Sequence, residues 1–312
     1  MRITQGMLSS QVLYDIENNL QQLSRLETEA STGKRINQPS DDPIGVQNVM
    51  TYQMEMNFDK EYQQNATNAQ SQLNFVSSVM TEAQNIMSRA RDLAVEGANS
   101  TETSSDMQAL ASEVGQLYDQ MVTIGNSQYN GLYIFNGANT GAAPYPLQAA
   151  NLSPGQVSGS LDPAQVATNS GQVLMDLGNG VTIPITVSGN QFFGNPASSN
   201  NAFQVLSELY SALNSGDHTQ VDNLLNSIDS VIDNMNQVQA GVGALVNRAQ
   251  MMQTRMTDLA NSVTQQLSNV DDADMAKVLT NLNSISAVEQ ASLEVGAQAL
   301  PMSLVNFLKP GV

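Results

Sequence analysis

The sequence predicts a mainly α protein: an elongated antiparallel helical bundle, or coiled-coil rod, with a small inserted β-rich domain and its N- and C-terminal helices paired. Three observations carry that prediction. Apolar residues recur at alternating steps of four and three through two long stretches, before residue 125 and after residue 200. Between residues 137 and 196 that spacing vanishes and Gly, Pro, Asn and Ser become dense. Hydrophobic residues make up 41% of the 312, yet aromatics are only 5% and Trp is absent. The apolar mass is therefore Ala, Met, Leu and Val, which fill narrow helix–helix seams better than a wide globular core.

The first long stretch contains two helices. Ala69, Leu73, Val76, Met80, Ala83, Met87, Ala90 and Ala94 keep the heptad spacing without a break, and Met107, Leu110, Val114, Leu117, Met121 and Ile124 repeat it. A period of 3.5 residues aligns these side chains in one stripe that a partner helix must cover. Gly97 and a polar cluster separate the two, and Ser105 with Gln108 has the spacing of a capping box, so the pair reads as an antiparallel hairpin.

Beyond it, Val173 to Leu177 and Val181 to Val187 flank Gly178-Asn179-Gly180, the signature of a β-hairpin. Pro184 cannot donate to a ladder, which makes the second strand an edge or bulged strand. Helical spacing returns with Phe203, Leu206, Tyr210 and Leu213, opened by Asn201 with Gln204 and closed at Gly216. Asp217 is placed to cap a further helix, in which Val221, Leu225, Ile228, Ile232 and Met235 lead on through Val242, Val246, Ala249, Met256, Val263, Leu267 and Val270. Gly241 and Gly243 are candidate kinks.

The two ends carry shorter stripes. Leu13, Ile16, Leu20 and Leu23 form one; Met275, Val278, Leu282, Ile285 and Val288 form another, followed by Leu300, Leu304, Val305, Phe307 and Leu308. Each is too narrow and short to be stable alone, so they pair with each other or with other subunits. The expected organisation is a terminal assembly domain (1–40 and 275–312), a helical rod (41–137 and 201–274) and an outward-facing β-rich domain (138–200). The expected assembly interface is Leu13, Ile16, Leu20, Leu23, Leu282, Ile285, Val288, Leu304, Phe307 and Leu308.

Charge narrows the possible partners. Formal net charge is -18, from 11 Lys+Arg against 29 Asp+Glu, and no Lys or Arg lies between Arg91 and Arg248. Such a chain repels phosphate and anionic lipid, which argues against nucleic acid and membrane partners. Without cysteine, disulfides, thiolate metal sites and thiol nucleophiles are excluded. No run reaches the roughly 18 apolar residues of a membrane span, and the opening residues lack a signal-peptide pattern.

No constellation for catalysis, cofactor or metal emerges. His218 is the lone histidine, at a helix start, and reads as a loop residue. Asp41-Asp42 before Pro43 reads as a helix start, with Asp42 as N-cap and Pro43 first in the helix. Asp271-Asp272-Ala273-Asp274 lacks the glycine and distant glutamate of an EF-hand, so it too reads as a cap. Gly241-Val242-Gly243 lies inside a heptad series, not after a strand. Lys34-Arg35 reads as a polar loop contact, and the heptad methionines as seam filler. Asn65-Ala66-Thr67, Asn99-Ser100-Thr101 and Asn151-Leu152-Ser153 fit the glycosylation tripeptide without further support.

Three segments carry a resemblance. STGKRINQPSDDP (Ser31 to Pro43) resembles the loop that the flagellin superfamily places after its first terminal helix. DADMAKVLTNLNSISAVEQASLEVGAQALPMSLVNFL (Asp272 to Leu308) resembles its closing helix, including the late Pro301. NGLYIFNGANTGAAPY (Asn130 to Tyr145) resembles the Tyr-Ile-Phe-x-Gly segment of the superfamily's hook–filament junction branch, as does the opening Met1-Arg2-Ile3-Thr4. Residues 148 to 196 match no pattern.

The resemblance implies a non-enzymatic, extracellular structural protein of the bacterial flagellum, exported unfolded through the type III channel without a cleaved signal. Its termini would be disordered in the monomer and order on assembly. The implied partners are other copies of itself, flagellin, another hook-associated protein on the hook side and a flagellar export chaperone; no cofactor is implied. Two alternatives stay open: a short or minor flagellin, and a stalked adhesin-like module with a ligand on its β domain.

Overall fold

The computed structural model describes residues 5–146, 162–178, 180–196 and 198–307, with end side chains described from Ser10 to Ala297 and at Met7. In chain order the elements are α1 (Gln5–Thr32), α2 (Pro43–Gly97), α3 (Ser104–Gly125), β1 (Gln128–Tyr129), β2 (Leu132–Tyr133), a 3-10 turn (Pro163–Gln165), β3 (Leu174–Asp176), β4 (Thr182–Pro184), α4 (Gly189–Phe192), α5 (Ala202–Ser215), α6 (His218–Asp271) and α7 (Met275–Phe307). Long helices with two small two-stranded sheets make this the mainly α architecture expected. The chain separates into two compact units, residues 1–58 with 259–312, and residues 59–258.

In the second unit the heptad stripe of α2 is the core. Ala69, Leu73, Val76, Met80, Ala83, Met87, Ala90 and Ala94 are all fully buried. Val79, Ile86 and Leu93 are also buried, which widens the stripe enough to serve two partners. Small alanines let the backbones approach, and amides and hydroxyls lace α2 to α6 where an ion pair would otherwise stand. Gln63 donates to Thr257, Gln70 to Gln250, Gln253 to Thr67, Gln84 to Asn236 and Gln239 to Thr81. Two arginines add charge, Arg89 to Glu113 of α3 and Arg91 to Asp229 of α6; both pairs are exposed and contribute little.

The seam of α3 lies beside the predicted one. Met107, Ala111, Val114, Tyr118, Met121 and Gly125 keep the four–three spacing and are all buried, while Leu110 and Leu117 are only half-buried. The capping box also sits two residues earlier than Ser105–Gln108. The Thr103 side chain accepts from the Asp106 amide and Asp106 accepts from the Thr103 amide. An Asp at the third helical position closes this short ring as a Glu or Gln would.

Near the end of α3 the few aromatics gather. Tyr118, Phe135, Tyr145, Phe192, Phe193 and Phe203 are buried and stack in sequence, with Phe135 on Phe192 and Phe193, and Tyr145 on Phe193 and Phe203. Burial pushes the Tyr145 phenol far above its usual range. The β3–β4 hairpin is present, antiparallel with Leu174 opposite Pro184; in a two-stranded sheet every strand is an edge, which is why Pro184 is tolerated. Asn201 caps α5 through the Phe203 and Gln204 amides, and Gly216 closes it at φ 74°. Helix α6 continues without a break through Gly241 and Gly243.

Candidate assembly interface

In the first unit α1 and α7 pack along their lengths in antiparallel register. The Asn19 amide donates to Ser292 Oγ at 3.1 Å, which fixes the level of the two helices. The inward positions of α1 are Val12, Ile16, Asn19, Leu23, Leu26 and Ala30; those of α7 are Val278, Leu282, Ile285, Glu289, Ser292 and Gly296, all buried or half-buried. Both series step by four and three, the spacing of a two-helix seam. A methyl group at Gly296 would lie 3.3 Å from Ile16 Cδ1 and 3.5 Å from Val12 Cγ1, so the helices approach closely there.

Three of these twelve positions, Asn19, Glu289 and Ser292, are polar. Asn19 and Ser292 satisfy each other, but Glu289 is 6% exposed and neither carboxylate oxygen has a hydrogen-bond partner. Glu29 is buried too, and Arg25 donates to it from one turn earlier. Burying a polar group without a partner costs on the order of 1–3 kcal/mol, so the pairing of α1 with α7 is weakened from within.

The predicted interface residues divide between the seam and its flanks. Ile16, Leu23, Leu282 and Ile285 lie in the seam, half-buried. Leu13 and Leu20 fall outside it, with Leu20 48% exposed, and Val288 is 46% exposed. Leu304 and Phe307 lie where only the backbone is described, and Leu308 lies outside the described residues. The seam also takes Val12, Asn19, Leu26, Glu289, Ser292 and Gly296, which lie outside the predicted interface; Asn19, Glu289, Ser292 and Gly296 carry no hydrophobic signal. A four–three series that admits small and polar residues would have found them.

Two open grooves run along one side of the hairpin. One, about 440 Å³, is lined by Gln22, Arg25, Glu29, Ser284, Ile285 and Val288, among others. The next, about 290 Å³, is lined by Val12, Asp15, Val288, Ala291, Ser292 and Val295. On the other side, Leu13 and Leu20 of α1 lie seven residues apart, as do Leu279, Ser286 and Leu293 of α7. Leu279 and Leu293 are about as exposed as Leu20. The leucine flank is apolar and exposed, while the groove flank mixes Val288, Ala291 and Val295 with Asp15, Gln22, Arg25 and Glu29.

The loop Gly33–Asp42 clasps the junction between α6 and α7. Lys34 pairs with buried Asp271, Arg35 donates to the Val270 carbonyl and to Asp42, and the Ala273 amide donates to the Gly33 carbonyl. Asp41 accepts from the Asn37 and Gln38 amides, and the Gln38 bond above all holds its carboxyl below the usual aspartate range. Asp42 caps α2 through the Gly45 amide, which with the Arg35 guanidinium lowers its carboxyl likewise. Asp274 caps α7 through the Ala276 and Lys277 amides. The acidic runs are thus caps and clasps.

The Asn130–Tyr145 motif is structural as well. Asn126 and Tyr145 exchange bonds between side-chain amide and backbone, and Asn136 bonds Ala142 and Asn169. Gly137, at φ 55°, has the Asn169 and Gly171 carbonyls where a Cβ would stand, so no other residue fits there without displacement. His218 Nδ1 lies 2.7 Å from the Gly97 carbonyl, at the end of α2. Among the described residues no group of three or more His, Cys, Asp or Glu could hold a metal ion, and no helix is long and apolar enough to cross a membrane. The Asn151 tripeptide lies outside the described residues.

Comparison with known proteins fits this geometry. Residues 3–140 match the model of the bacterial flagellin N-terminal helical region, and residues 225–308 that of the C-terminal helical region. Flagellar hook-associated protein 3 of Salmonella typhimurium is 26% identical over 98% of this chain and 99% of that protein. Its Escherichia coli counterpart is 24% identical over 99% of this chain and 100% of that one. The crystal structure of flagellar hook-associated protein 3 from Legionella pneumophila superposes with a TM-score of 0.60, covering 71% of this chain and 98% of that one at 15% identity. With matched regions at both ends, covering α1 to β2 and most of α6 and α7, the chain belongs to the bacterial flagellin family.

Proposed function

We propose that this chain is a structural adaptor of the bacterial flagellum, forming the junction between another hook-associated protein on the hook side and the flagellin filament. The observation that carries the reading is the terminal hairpin, whose seam leaves Leu13, Leu20, Val288 and Leu293 outside on two exposed flanks. Apolar surface in two rows along paired helices is what neighbouring subunits cover, and the ordering cost is then offset by burial between copies. Similarity to hook-associated protein 3, at 26% and 24% identity, supports the junction; flagellins align over comparable lengths at 21% and 22%. The role needs no catalytic group. Export unfolded through the flagellar channel, with a chaperone on the C-terminal apolar stripe, belongs to the same reading.

Deleting the gene tests it. Cells should keep hooks but carry no attached filament, with flagellin lost to the medium, and the wild-type gene should restore attachment. Filaments still attached after deletion would refute the junction role. Long filaments grown from the purified chain alone would favour a minor flagellin instead.

A further inference from the structure

In the first unit the connectors that follow α1 and α6 are bonded to each other. Gly33 closes α1 at φ 69°, and the residues after it run antiparallel to those that end α6, with Lys34 bridged to Asp272. The Arg35 amide donates to the Asp271 carbonyl, and the Ala273 amide to the Gly33 carbonyl. The Lys34 ammonium donates to the Asp271 carboxylate at 2.5 Å, across 237 positions of sequence. Helices α2 and α6 bring the two connectors near one another, and these bonds fix them.

The charge pair has a demanding position. Asp271, 2% exposed, is the most buried acid among the described residues. It ends α6, where the last carbonyls already make the potential negative, so a carboxylate there depends on a cation. Lys34 is the cation bonded to it, while the Arg35 guanidinium is taken up by the Val270 carbonyl and Asp42. Losing the Lys34 charge would leave Asp271 buried without a counterion, which costs much more than opening an exposed pair.

The seam beyond the connectors is weak by comparison, since it buries Glu289 with both oxygens unpartnered. Helices with such a seam gain most from having their roots held together, because each contact then closes a short loop and not a long one. We infer that the Lys34–Asp271 pair is the latch of the terminal hairpin. With the pair closed, α1 and α7 zip together from Thr32 and Met275 outward. With it open, they separate while the bundle of residues 59–258 keeps its fold, as a local opening below the global one. The latch belongs to the single chain and does not depend on the junction role.

Amide exchange of the purified full-length chain, followed by mass spectrometry, tests the latch. Lys34→Met keeps the side-chain stem and removes the charge. It should speed exchange along α1 and α7 about ten-fold or more, with residues 69–94 staying within about two-fold of wild type. Adding Asp271→Asn removes the stranded carboxylate, so the double variant should exchange more slowly than Lys34→Met alone. Arg91→Met, which opens the exposed pair with Asp229, should leave α1 and α7 unchanged. The latch is overturned by terminal exchange that Lys34→Met does not alter, by equal acceleration in residues 69–94, or by a double variant no slower than the single. Wild-type α1 and α7 exchanging at the unfolded rate would overturn it too, since no closed hairpin would exist to be held. Should Lys34→Met fail to fold by circular dichroism, Asp271→Asn alone decides: faster exchange confined to α1 and α7 supports the latch, and any other pattern refutes it.

Discussion

The bundle of residues 59–258 and the hairpin of α1 with α7 share a heptad design and differ in what occupies it. In α2 every inward position from Ala69 to Ala94 is an apolar side chain with no exposure. In α7 the corresponding series contains Glu289, Ser292 and Gly296. The first can be stable within one chain. The second has polar and small residues in its own seam and leaves Leu13, Leu20, Val288 and Leu293 exposed beside it. The same period thus makes a core in one region and a surface awaiting cover in the other. What distinguishes them is the placement of bulk relative to the seam.

The comparison breaks most easily at the aromatic cluster. Phe193 stacks on Phe135, Tyr145, Phe192 and Phe203, so Phe193→Ala should destabilise the bundle by about 3–5 kcal/mol. Thermal unfolding followed by circular dichroism would show it as a large fall in midpoint, and an unchanged midpoint would mean the cluster is not the bundle's anchor.

Substitution in the hairpin should sort by position. Leu20→Asp lies on a flank and should alter stability by no more than about 0.5 kcal/mol while abolishing filament attachment. Ile285→Asp lies in the seam, so it should block attachment and also speed amide exchange along α1. If the two variants exchange alike, the division into seam and flank is wrong.

The smallest effect is expected in acid. Asp41 and Asp42 are held below the usual aspartate range by the amides and the guanidinium around them. Lowered values mean that the clasp is at full strength above the unfolded aspartate range, near 4, and weakens as pH falls through the lower folded values. The amides of Gln38 and Gly45, followed by NMR, should shift only below that range. A midpoint within or above it would show that the two carboxyls are not held as described.

Much of this was legible in the sequence because heptad spacing is a property of apolar side chains, and those of α2 stand where the packing needs them. The β3–β4 hairpin, the caps at Asp42, Asn201, Asp217 and Asp274, and the closing Gly216 were legible for the same reason: each is a local pattern with a local cause. The seams of α1, α3 and α7 were displaced by one position or split. There the inward places are taken by Asn19, Ala30, Ala111, Tyr118, Gly125, Glu289 and Gly296, which a hydrophobicity scan passes over. Leucines at neighbouring positions, such as Leu20 and Leu117, drew the stripe away from the seam. The orphaned carboxylate of Glu289 was beyond sequence reasoning altogether, since nothing local says which helix face α1 will cover.

The amides that lace α2 to α6 have a consequence for the fold's uniqueness. A seam of repeated Ala, Met and Val can slide by one heptad and lose little apolar contact, which is the usual ambiguity of such helices. Gln70 with Gln250, Gln84 with Asn236 and Gln239 with Thr81 meet in only one alignment. A slip of seven residues would set Thr81 against Val246 or Ile232, so neutral groups favour one registry where charge is too scarce to do so.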